Sequence, residues 1–136
     1  MYGRTVGSYR QVYLESAPPS RILDELFHRL RRDCRDARAC IARGDLAGKG
    51  AAIDHAIAIV SELNAALDFA LAPELCAMLS RLYGYVGDEL LQASVRLDET
   101  AILRAERIIE DLHGAFAAAI EQQASAPPPS GPAKAK

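Results

Sequence analysis

Apolar residues return at alternating intervals of three and four positions in four successive stretches of this chain, a rhythm that only a bundle of amphipathic helices can bury along one seam. In the first stretch Leu23, Phe27, Leu30, Cys34, Ala37 and Ile41 advance by four and three. In the second, Ile53, Ile57, Val60, Leu63 and Leu67 share a face from which Asp54, Ser61 and Glu62 are excluded. The third carries Leu75, Leu79, Leu82, Val86 and Leu90, with Tyr83 and Tyr85 alongside, and the fourth Ile102, Ala105, Ile109, Leu112, Phe116 and Ala119.

Punctuation separates the stretches. Pro18 and Pro19 precede the first, and proline suits a first helical turn because its missing N–H would be unpaired there. Gly44 is a C-terminal stop for a helix running to about Arg43. The second helix is expected to end near Asp68, Pro73 opens the third, and Asp98 is an N-cap for the fourth, with Glu99 suiting its positive end. Gly84 and Gly87 interrupt the third helix at about 1 kcal/mol each against Ala. Aromatic content is 6%, too low for the usual strand composition, and abundant Ala favours helix. Seams joined by short links predict an all-α fold, an antiparallel four-helix bundle over residues 18–121.

The flanks differ. Residues 1–17 carry Tyr2, Tyr9 and Tyr13 among small residues without a helical stripe and read as a flexible N-terminal arm. Residues 122–136, with Pro127, Pro128 and Pro129 and a Lys134-Ala135-Lys136 end, have too little apolar surface to order themselves and read as a disordered tail.

Composition excludes several functions. A formal charge of -2 leaves no excess of Lys and Arg to neutralise phosphates, so nucleic acid is not an expected partner. Arg29, Arg31 and Arg32, broken by Asp33 and Asp36, read as a solvated helix face. No run of about 18 apolar residues suggests membrane insertion, and the N-terminus lacks the apolar core of a secretory signal. The three cysteines, Cys34, Cys40 and Cys76, show no Cys-x-x-Cys spacing, which argues against zinc knuckles and disulfide frameworks and fits a reducing cytoplasm.

Candidate chemistry is sparse. The stretch from Gly44 to Gly50 superficially resembles a phosphate-binding loop, but its glycine spacing is wrong, no Ser or Thr follows Lys49, and no strand precedes it. Of His28, His55 and His113, His55 is the best placed for a histidine phosphotransfer bundle, the alternative function. That family's histidine is usually followed by Lys-Gly, whereas Ala56-Ile57-Ala58 follows here, so all three histidines are expected to be partly exposed and uncatalytic. No helix carries the Glu-x-x-His pattern of a di-iron bundle, and Glu106 and Glu110 read as a solvated pair. No catalytic residue, metal ligand or cofactor is expected.

The order of features resembles the FliS flagellin chaperones from Tyr2 to about Ile120. Val6 with Tyr9-Arg10-Gln11-Val12 looks like that family's apolar-x-x-Tyr-x-Gln-Val segment, and Pro19, Ile22, Leu23, Leu26 and Phe27 look like its opening of helix 1. Ala56-Ile57, Ile59 and Leu63, followed by Leu67-Asp68, are similar to its second-helix run. Leu82-Tyr83-Gly84-Tyr85-Val86 resembles its Leu-Tyr-Asp-Tyr segment, continued by Leu90, Ala93-Ser94 and Asp98. Departures occur at His28-Arg29, where the family has Asp-Gly, at Ala70-Leu71-Ala72-Pro73, and at Phe116, where it has Trp.

The resemblance implies a cytoplasmic export chaperone, not an enzyme, that binds the disordered C-terminal segment of flagellin. It implies that the chaperone prevents premature polymerisation and delivers its client to the flagellar type III export apparatus, acting as a monomer or weak dimer. Carried onto this sequence, it places partner binding at Val6, Tyr9, Leu67, Met78, Leu82 and Tyr85.

Overall fold

Each periodic stretch is a helix in the computed structural model, which describes residues 20–125. Helices α1 (Ser20–Ala42), α2 (Leu46–Ala65), α3 (Pro73–Arg96) and α4 (Glu99–Ser125) follow one another without a strand among the described residues. Each packs on the next in the chain, and α4 closes the ring against α1. The short connections make neighbours antiparallel, giving the four-helix bundle. None of these helices is long and apolar enough to cross a membrane.

The connections explain where each helix stops. Gly44 adopts φ +75°, its N–H donates to the Ile41 carbonyl (3.1 Å), and the Asp45 N–H donates to the Cys40 carbonyl (2.8 Å). This paired Schellman closure satisfies carbonyls that the end of α1 would leave orphaned. Asp45 then caps α2, its carboxylate accepting from the Gly48 N–H at 2.9 Å. A Cβ on Gly48 would press on Asp45 Oδ2 and Cys40 Sγ, so any larger residue would have to push aside the carboxylate that caps the helix. The supposed phosphate loop is thus a stop signal followed by a start signal. From the same first turn of α2 the Lys49 ammonium donates to the Ser94 carbonyl (3.0 Å), placing a cation on the last turn of α3.

Helix α2 ends at Ala65, three residues short of the Asp68 expected from sequence, because Asp68 forms a turn instead: its side chain accepts from the Ala70 N–H (3.0 Å). Helix α4 runs to Ser125, past residue 121 where the sequence places the end of the bundle. Glu121, Gln122, Gln123 and Ala124 are good helix formers, and the first breaker is Pro127.

Leu23, Phe27 and Leu30 meet Ile53 and Leu63, Val86 and Leu90, and Ile102, Ile109 and Phe116 in one continuous core. The strict alternation of four and three misplaces four seam residues: Ile41, Ile57, Leu67 and Leu82 are only partly buried, while Cys40, Ile59 and Tyr83 are buried. A straight helix turns every 3.6 residues, so a 3.5-residue seam drifts by about 20° per heptad. That drift accounts for Ile41 at the end of its seam but not for Ile57 and Leu82 in the middle of theirs, where the neighbouring Ile59 and Tyr83 take the buried place.

Candidate functional site

Met78, Leu82 and Tyr85 stand four and three residues apart on α3 and therefore share one edge of that helix. Met78 is 40% exposed and Tyr85 42% exposed, whereas Leu82 leans inward against the core. One turn beyond Tyr85, Glu89 accepts two hydrogen bonds from the Arg104 guanidinium of α4, at 2.9 and 3.2 Å. Arg104 holds the Glu89 carboxyl below the usual range, with help from the Tyr85 hydroxyl; in turn the Glu89 carboxylate pushes the Tyr85 phenol upward. Tyr85 thus presents an aromatic face fixed at its polar tip, a low-entropy way to offer apolar area to a partner.

Leu67 lies beyond the end of α2, partly buried and packed on the core, so it supports the α2–α3 corner more than it faces outward. The corner's exposed apolar residues are Phe69 (47%) and Leu71 (48%). Neither was singled out from the sequence, although an aromatic and a leucine in a turn between Asp68 and Pro73 were the available signal. The same oversight applies to Leu91 and Val95 on α3, apolar but off the seam and exposed. Val6 and Tyr9 lie outside the described residues.

Of the three histidines, His28 and His55 are exposed as expected and His113 is not. His113 is buried, 5% exposed, stacked on Phe27 with ring planes 10° apart, its Nε2 2.8 Å from Asp24 and its Nδ1 3.2 Å from Arg31. It occupies the α1–α4 seam because its ring supplies an apolar face to Phe27 and polar edges to the helix opposite. Glu106, read as solvated, instead accepts from Arg38 at 3.0 Å in the same seam, its side chain only 13% exposed. His55 is exposed, but its Nε2 faces Arg29 at 3.1 Å and its Nδ1 meets Asp33, so both ring nitrogens are engaged.

The model of the family described as flagellar protein FliS matches residues 2–123. The chain belongs to the FliS family. A Salmonella typhimurium protein named flagellar secretion chaperone FliS is 34% identical over 116 residues, covering 82% of this chain and 86% of that protein. A Pseudomonas aeruginosa protein named flagellar secretion chaperone FliSB is 31% identical over 112 residues, covering 76% of this chain and 89% of the relative. The groups that the α3 edge exposes are the Met78 thioether and the Tyr85 ring, with the Leu82 branch half-buried between them.

Proposed function

We propose that this protein is a cytoplasmic, non-catalytic export chaperone that binds the disordered C-terminal segment of flagellin and holds it from polymerising. It then passes its client to the flagellar export apparatus. Membership of the FliS family and the names of the Salmonella and Pseudomonas relatives support the chaperone role. The observation that carries the reading to a site is the α3 edge, where Met78 and Tyr85 remain exposed beside half-buried Leu82 in a bundle whose own seams are filled. An amphipathic client segment lays its apolar side chains along such an edge, and a flexible methionine beside a fixed tyrosine suits a client that folds as it binds. Wrapping a disordered chain costs about 2–5 kcal/mol in ordering, which contacts beyond this edge, at the arm residues Val6 and Tyr9 and at the part of Leu67 that the core leaves uncovered, help to offset.

Titration calorimetry with a flagellin C-terminal segment tests the site. Met78→Asp and Tyr85→Ala are each expected to weaken binding about tenfold or more, the effect of losing an interface anchor, with little change in melting temperature. Ser61→Asp on the outer face of α2 serves as control. Wild-type affinity in both edge variants would remove the edge from the reading. Phosphotransfer at His55 gains no support, because a phosphoryl group on either nitrogen would have to displace Arg29 or Asp33.

A further inference from the structure

We propose that Asp24, His28 and His113 form a site for a divalent first-row transition ion, of the Zn²⁺ or Co²⁺ type, that ties the N-terminal half of α1 to the C-terminal half of α4. Asp24 and His28 are one turn apart on α1, and His113 reaches them from across the seam. One ligand atom from each lies within 4.8 Å of the other two. The Asp24 carboxylate already touches both rings, 2.8 Å from His113 Nε2 and 3.4 Å from His28 Nε2. The two imidazoles stand edge to face at 87°, their centroids 4.6 Å apart, and the Nε2 of each faces the same carboxylate.

Two imidazoles and a carboxylate are the donor set that zinc and its neighbours prefer, whereas Mg²⁺ and Ca²⁺ favour sites made only of oxygen. Bonds of about 2.0–2.2 Å to a tetrahedral ion set ligands somewhat more than 3 Å apart, so the trio needs to close by little more than an ångström. His28 can supply that movement, since its side chain is 56% exposed, while His113 is held in place by Phe27. Binding through His113 Nε2 moves that ring's proton to Nδ1, where Arg31 now donates. Arg31 has a second partner on the same helix as His113, Glu110 at 3.5 Å, toward which it can turn. Three protein ligands leave one position open for water or a donor from a bound partner.

Competition of full-length wild-type protein against a chromophoric zinc chelator tests this. One equivalent of Zn²⁺ should bind saturably, and His28→Ala, a surface change that leaves the core intact, should weaken it at least tenfold. His55→Gln should leave it unchanged. With Co²⁺ the complex should show visible d–d bands without the near-ultraviolet thiolate charge-transfer band that Cys34, Cys40 or Cys76 would produce. Equal affinity in wild type and His28→Ala, loss of binding in His55→Gln, a thiolate band, or no saturation below millimolar metal would each overturn the site.

Discussion

The Cys34 side chain has no exposed surface, and burial, followed by the nearby charge of Glu106, pushes its thiol up to about 12. A group whose acidity is suppressed by folding stabilises the fold fully below its unfolded value, here 9.0, and that contribution is lost as pH rises from there toward about 12. At pH 8 the native protein should therefore resist iodoacetamide at Cys34, while urea-unfolded protein is alkylated promptly, as peptide mass spectrometry will read. Rapid native labelling would mean that the α1–α4 seam opens often. The residue also marks a limit of sequence reading: its place on the seam follows from spacing alone, but the suppression depends first on burial by the helices that pack over it and then on Glu106, which the fold brings close from another helix. His113 was misread for the same reason. Nothing within α4 announces that Phe27 and Asp24 will meet its ring, and a histidine between Leu112 and Gly114 reads as surface until its neighbours on α1 are known.

At the scale of the elements, the helices were legible because their apolar periodicity is strong, and Gly44 was legible because only glycine is at ease at its φ of +75°. The start of α2 was less so, since Asp45 reads as one polar residue in a glycine-rich loop until Gly48 folds under it. The edge at Met78, Leu82 and Tyr85 came through resemblance to a family; periodicity alone assigned Leu82 to the seam. Glycine chemistry yields a paired test. Gly84 lies inside α3 with nothing within 4 Å of where a Cβ would stand, whereas Gly44 needs its left-handed backbone. Gly84→Ala should raise stability by about 0.5–1 kcal/mol, and Gly44→Ala should lower it by about 1–2 kcal/mol. Thermal melts followed by circular dichroism measure both. A shift of the same sign in the two variants would contradict the roles given to these positions. Leu97 belongs beside them: it ends α3 at φ 55° without being glycine, a position where neither seam nor turn signal in the sequence gave warning.

For the whole molecule, the decisive contacts are those that close the ring, since α1 and α4 are farthest apart in the chain yet share Phe27 against Phe116, with ring centroids 5.7 Å apart, and Arg38 against Glu106. These contacts exist only when α2 and α3 have brought the ends round, so closing them couples all four helices through one core. Domains of this size commonly unfold in one cooperative transition, and a core shared by every helix favours that behaviour. Phe116→Ala removes a nearly fully buried ring, 1% exposed, and should cost about 3–5 kcal/mol, a large part of a total near 5–15 kcal/mol. The informative measurement is where the loss appears. If the bundle is one cooperative unit, urea melts of the variant keep their slope and shift their midpoint, and the most protected amides of α2, across the ring from the substitution, lose as much hydrogen-exchange protection as those of α4. If α2 and α3 keep wild-type protection while α1 and α4 lose theirs, the chain is instead a stable central hairpin with two helices docked on it, and its outer seam can open without global unfolding.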